Sequence, residues 1–154
     1  MSLAQAGVLG GVFMFASSVL QLPFGILSDR FQSRAFSIVG PLAAGVFLSS
    51  LSWAESYGML LLLVFLGGMG VAAFHPQSTG EASRLSGERR GVGVAVFITA
   101  GTFGLACGPP YMAAIIDNFG FDRLPLAMIL AVVVCGLMFL RLPAPPPHAV
   151  ANRR

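Results

Sequence analysis

The sequence predicts an all-α fold, a multi-pass transmembrane bundle of about five spanning helices. Composition is the first observation behind it. Of 154 residues, 56% are apolar and only 10% are charged, whereas an ordinary soluble domain carries roughly 25% charged residues. Spacing is the second. The nine arginines and six acids are bunched and leave five neutral windows at 1–28, 35–54, 56–80, 91–116 and 124–140. Each is long enough to cross a hydrocarbon core about 30 Å thick, for which a helix needs roughly 17–25 residues. Periodicity is the third. The windows are apolar around most of their circumference, where an outer helix in water shows a polar face, and the short alternating segments of a β-barrel are missing.

The first window lacks the basic start and short apolar core of a secretory signal, so it is read as part of the mature chain. Glu55 alone separates windows two and three, and a turn of about five residues is enough to join antiparallel neighbours. This predicts a second helix over about 36–53 and a third over about 57–74. Trp53 and Tyr57 then fall at one membrane interface, where amphipathic rings are favoured. The longest connection, about 77–90, contains EASRLSGERR and predicts a short amphipathic helix lying on the membrane surface. There Glu81 is expected to pair with Arg84 and Arg89, an exposed arrangement contributing only about 0–1 kcal/mol. Windows four and five supply the last two helices. The stretch 142–154, LPAPPPHAVANRR, cannot continue a helix because proline lacks the backbone N–H. Residues 1–141 are therefore read as one helical domain and 142–154 as a proline-rich cytoplasmic tail. Cys107 and Cys135 both fall in apolar windows and are expected as buried small residues, not as a disulfide or metal ligands.

Threading follows from the arginines. Arg30 and Arg34 lie in the first connection, Arg84, Arg89 and Arg90 in the third, and Arg141, Arg153 and Arg154 in the tail, all on one side of an alternating chain. The other side holds Arg123 with Glu55, Asp117 and Asp122. Arginine concentrates on the cytoplasmic side, which predicts a plasma-membrane protein, of a bacterial inner membrane, with its first residues outside and its C-terminus in the cytoplasm. An exported start would insert its first helix with no earlier one to lead it, so one preceding helix is expected to be missing.

The first cytoplasmic connection reads Gly25-Ile26-Leu27-Ser28-Asp29-Arg30-Phe31-Gln32-Ser33-Arg34. Two readings stand side by side. A half-buried Asp29 can latch two helices through an arginine fork or the free N–H groups of a helix start, or the loop is solvated and merely obeys the charge bias. Gly25, Leu27, Asp29, Arg30 and Arg34 resemble the loop signature between helices two and three of the major facilitator superfamily, with Gln32 replacing its second glycine and Ser33 its first following basic residue. Further on, Gly67-Gly68-Met69-Gly70-Val71-Ala72-Ala73-Phe74-His75-Pro76-Gln77, then Arg89-Arg90-Gly91, then Gly104-Leu105-Ala106-Cys107-Gly108-Pro109 are similar to the fosmidomycin-resistance group of that superfamily. The opening Leu3-Ala4-Gln5-Ala6-Gly7 and the stretch Ala16-Ser17-Ser18-Val19-Leu20-Gln21-Leu22-Pro23 resemble the second helix of the same group. The likeness runs from about residue 3 to about residue 117.

It implies that the five windows are facilitator helices two to six, most of one half of a twelve-helix transporter, with a second transporter half as a possible partner. It also implies that the helix bearing Gly104, Gly108 and Pro109 is a gating element. The residues alone admit a packing seam equally well, since two glycines four apart let another helix approach closely, and Pro109 with Pro110 permits a bend.

His75 lies five residues from the inner end of its window, roughly 8 Å deep at 1.5 Å per residue, and is the one histidine inside any window, the side-chain type that titrates near neutral pH. It is a candidate for proton coupling, or else His75 and Pro76 end the helix. Gln21, Thr99, Thr102 and Tyr111 are the few polar groups available to a substrate or to neighbouring helices. The arginines form no continuous basic face, which argues against nucleic acid, and no Ser-His-Asp set, metal-ligand spacing or phosphate-cradling loop supports an enzyme or a cofactor. The expected partners are the lipid bilayer and a small-molecule substrate. The expected function is alternating-access permeation of a small solute or drug, proton-coupled and outward. The alternatives are a non-transporting remnant or half-subunit, and an oligomeric pore.

Overall fold

The computed structural model describes residues 1–31 and 33–143, so Gln32 and 144–154 of the expected tail lie outside the described residues. Among the described residues there are six α-helices: α1 (Leu3–Val19), α2 (Gln21–Phe31), α3 (Ala35–Ser49), α4 (Tyr57–Leu85), α5 (Arg90–Phe119) and α6 (Met128–Arg141). Joined with short 3-10 turns, they give five spans long and apolar enough to cross a membrane: Leu3–Phe31, Ala35–Trp53, Tyr57–Leu85, Gly87–Phe119 and Phe121–Arg141.

Each boundary has a local cause. Ser2 starts α1 through a capping box, its hydroxyl accepting from the Gln5 N–H at 3.2 Å while the Gln5 carboxamide accepts from the Ser2 N–H at 2.8 Å. Leu20 interrupts the first span just ahead of Pro23, whose missing N–H leaves a gap in the ladder. One turn earlier, the Gln21 side chain donates to the Ser17 carbonyl at 2.7 Å. Ser56 caps α4 by accepting from the Met59 N–H at 3.2 Å. Gly120 ends α5 with φ of 86°, a left-handed backbone that a side chain would strain.

α4 is the hub, with α1, α2, α3 and α5 all packed on it, while α6 packs on α3. Most of the buried residues are small, among them Ala16 and Ser17 of α1, Ser37 and Ala44 of α3, and Ala72 and Ala73 of α4, with Leu63, Val64, Ile115 and Leu124 as the larger apolar ones. At the α3–α4 crossing a Cβ on Gly70 would stand 2.5 Å from the Gly40 carbonyl oxygen and 2.6 Å from the Ala44 nitrogen, so the two backbones touch directly. Many large apolar side chains point outward instead, among them Leu22, Phe103, Leu105 and Leu140. Small residues inside and large apolar ones outside is the arrangement for a solvent of lipid tails, which supplies no hydrophobic force between helices and leaves packing and interhelical hydrogen bonds to hold them.

The structure corrects four expectations. The helix expected over 57–74 runs on to Leu85, so 77–90 is no separate surface helix but the last turns of α4 followed by one 3-10 turn, Gly87–Arg89. His75 and Pro76 therefore lie inside a helix and do not end one. Proline removes one ladder bond, and packing on α2 and α3 carries the helix across the gap. Glu81 is buried and bonded to Ser37 and Gln77, not to Arg84 or Arg89, which are exposed. Cys135 is buried as expected, but Cys107 is exposed on α5.

Candidate functional site

The five spans alternate in direction, so Arg30, Arg34, Arg84, Arg89, Arg90 and Arg141 collect at one end of the bundle and Arg123 at the other. Between the α1–α2 junction, α4 and α5 lies an open cleft of about 760 Å³. Its polar walls come from Ser18 and Gln21 on one side and from His75, Thr79 and Ser83 on α4, with Val94 of α5 opposite. His75, Thr79 and Ser83 follow one another at four-residue steps, which puts them in a row down one face of α4. The Thr79 hydroxyl donates to the His75 carbonyl at 2.7 Å, and the imidazole packs edge-on against Phe74 and Phe97, with ring centroids 5.6 and 6.4 Å away.

The opposite face of α4 carries a buried polar clasp. The Ser37 hydroxyl of α3 donates to Glu81 Oε2 at 3.0 Å, Gln77 Nε2 donates to Glu81 Oε1 at 3.0 Å, and the Ser78 hydroxyl donates to Ser37 Oγ at 3.1 Å. Ser28 of α2 donates to Gln77 Oε1. Five side chains from α2, α3 and α4 thus satisfy one another at the arginine-rich end, which is the condition for burying a carboxylate at all. Next to the clasp, Gly25 of α2 faces Pro76, where an added Cβ would stand 3.7 Å from the proline Cβ.

The loop signature splits between two roles. Asp29 and Arg30 end α2 exposed. Arg34 reaches across to α6, donating to the Leu142 carbonyl at 2.6 Å and the Phe139 carbonyl at 3.4 Å, with its guanidinium 5.0 Å from the Phe139 ring centroid. A cation on the carbonyls that close a helix also meets the negative end of its dipole. So the link between helices at this end runs through Arg34, and its partner is the end of α6.

On α5, Gly101, Gly104 and Gly108 have nothing within 4 Å of where a Cβ would stand, and Pro109 and Pro110 sit inside a continuous helix. Ile115 is the one buried residue of α5. Arg89 and Arg90 are exposed where α5 begins. Of the other polar groups, the Thr102 hydroxyl donates to Ile98 of its own helix at 3.0 Å and the Tyr111 hydroxyl to the Ala127 carbonyl at 3.4 Å. The structure therefore places Gly25 and Glu81 on the clasp side of α4 and His75 on the cleft side, with Pro76 touching both, and leaves Gly104, Gly108 and Pro109 apart from them. Sequence reasoning missed Ser28, Ser37, Gln77 and Ser78. The available signal was the four-residue step from Gln77 to Glu81, which puts both on one helix face.

Membrane-length helices around an open, partly polar cleft fit one class, the multi-pass membrane transporters. The family model for the Major Facilitator Superfamily matches residues 1–154, and the chain belongs to that family. It is 35% identical over 133 residues to the fosmidomycin resistance protein of Escherichia coli K12, which covers 84% of this chain and 33% of that one. It is 28% identical over 142 residues to the uncharacterized MFS-type transporter YfnC of Bacillus subtilis 168, covering 91% of this chain and 34% of the relative. To the 4-hydroxybenzoate transporter PcaK of Pseudomonas aeruginosa PAO1 it is 28% identical over 152 residues, covering 97% and 33%. The chain thus spans about a third of the length of the curated relatives it matches. No solved structure matches it. Membership places the chain among transporters rather than enzymes.

Proposed function

We propose that the chain is part of a permease that exports a small solute or drug by alternating access, driven by protons, with the cleft as the solute path and His75 as the proton-coupling group. The observation that carries the reading is the row of His75, Thr79 and Ser83 on an otherwise apolar α4, open to a cleft large enough for a drug-sized molecule. The names of two relatives point the same way, one conferring resistance to a drug and one carrying 4-hydroxybenzoate. The working unit includes a second transporter half against α5, whose glycine face at Gly101, Gly104 and Gly108 is open and suited to close helix approach. The gating role carried to Gly104, Gly108 and Pro109 belongs to that contact. The loop residues Gly25, Asp29, Arg30 and Arg34 set the cytoplasmic end, with residues 1–141 as the helical domain and the first residues outside.

Inverted membrane vesicles expressing the chain test this. Energised vesicles are expected to accumulate radiolabelled 4-hydroxybenzoate above control vesicles, a protonophore to abolish the excess, and His75→Gln to remove the protonophore-sensitive part. Accumulation equal to that of controls overturns transport by the chain alone and favours the half-subunit alternative, for which the open α5 face is the specific observation.

A further inference from the structure

We infer that the cleft selects small organic monoanions, received by neutral hydrogen-bond donors inside and drawn in past arginines at the rim. The inference rests on the reading of this cleft as the solute path, and it starts from what lines it. Ser18, Gln21, His75, Thr79 and Ser83 are hydroxyls, a carboxamide and an imidazole, and the lining contains no carboxylate. An organic cation in an apolar wall needs a carboxylate or an open aromatic face to replace its water. An anion needs donors, and donors are what remain. Thr79 commits its hydroxyl proton to the His75 carbonyl, and Gln21 commits one N–H to the Ser17 carbonyl. That leaves the Ser18 and Ser83 hydroxyls, the second Gln21 N–H and the His75 ring N–H free to turn toward a bound acceptor.

The nearest acid on α4 does not oppose this. Glu81 lies on the α3 side of the helix, 6% exposed, with both oxygens taken by Ser37 and Gln77. Beyond the lining, Arg84 follows Gly80 by four residues on α4 and Arg90 precedes Val94 by four on α5, so each arginine stands one helical turn past a wall residue. Both are exposed. With Arg30 and Arg89 they make four arginines at that end of α2, α4 and α5 against Asp29 and Glu88. A low-dielectric cleft under a positive rim concentrates anions at its mouth. The lining holds no arginine or lysine, and Leu22, Pro76 and Val94 form its apolar part, so a second negative charge would be buried with nothing to offset it.

The experiment measures binding, not transport, so that the two readings fail separately. The chain is placed in phosphatidylcholine nanodiscs and equilibrium dialysis compares three probes of one shape: 4-hydroxybenzoate, neutral 4-hydroxybenzamide and cationic 4-hydroxybenzylamine. The anion is expected to bind about tenfold tighter than either of the others, the worth of one charge-assisted hydrogen bond. His75→Leu, which removes the ring donor, is expected to lose part of that preference, and His75→Gln, which keeps an N–H, to lose less. Arg84→Gln with Arg90→Gln is expected to weaken anion binding at low salt and to match the unaltered protein at high salt. Amide or amine binding as tight as the anion, or no binding by any probe, overturns the inference. If the anion binds selectively while energised vesicles accumulate nothing, the transport reading fails and the selectivity stands. If vesicles accumulate the amine, the selectivity fails and transport stands.

Discussion

At Glu81 a carboxylate sits 6% exposed between α4 and α3, and the groups that surround it are neutral: the Ser37 hydroxyl and the Gln77 carboxamide, each 3.0 Å away. Removing it strands Ser37, which is 0% exposed, and a stranded buried donor costs about 1–3 kcal/mol. Glu81→Ala is therefore expected to lower stability by about 1–2 kcal/mol in detergent unfolding titrations, toward the smaller values typical of hydrogen bonds between membrane helices. Glu81→Gln, which keeps an acceptor, should lose less. Adding Ser37→Ala to Glu81→Ala should cost less than Ser37→Ala does alone, because the bond between the two is already lost and only the acceptor for Ser78 remains to be removed. Equal losses for Glu81→Ala and for the exposed Glu88→Ala would mean that the clasp contributes nothing. Sequence reading placed Glu81 on the surface because it treats any charge as the edge of a membrane window. Burial of an acid depends on donors arriving from other helices, and Ser28 and Ser37 stand about fifty and forty residues from their partners.

Among elements, the α3–α4 crossing brings backbone directly against backbone. Neighbouring side chains can shift, but the atoms that meet at Gly40 and Gly70 are backbone, so a Cβ at either position must push two helices apart. Gly70→Ala is expected to destabilise by about 1–3 kcal/mol, the range for overpacking a filled site. Gly101→Ala on the open face of α5 should be neutral, or stabilising by up to about 1 kcal/mol, because alanine favours helix over glycine. Unfolding of the two variants in detergent side by side separates them, and an equal response would show that the crossing tolerates a side chain. The spans themselves were legible, because lipid thickness dictates how long a neutral apolar run must be. Their ends were not. Pro76 reads locally as a stop, yet α4 continues for nine residues to Leu85, since packing on α2 and α3 outweighs the loss of one ladder bond.

For the whole molecule the question is which end faces the cytoplasm. The alternation of the five spans puts the α4–α5 turn, with Arg84, Arg89 and Arg90, at the same end as Arg30, Arg34 and Arg141. The α3–α4 connection, with Glu55, lies at the other end. Arginine near span ends is retained on the cytoplasmic side during insertion, while acids have little influence. The clasp at Glu81, the Arg34 link to α6 and the rim of the cleft all belong to the arginine-rich end, so orientation decides to which side that rim turns. After replacement of Cys107 and Cys135 by serine, Ser86→Cys between α4 and α5 is expected to react with a membrane-impermeant maleimide only in inverted vesicles. Ser56→Cys between α3 and α4 should react in intact cells. Ser56→Cys gives up the α4 cap and Ser86→Cys exchanges a hydroxyl bonded to the Ala82 carbonyl for a thiol, so both variants are first checked for unaltered unfolding in detergent. The reverse labelling pattern would invert the molecule and turn the rim of the cleft toward the outside.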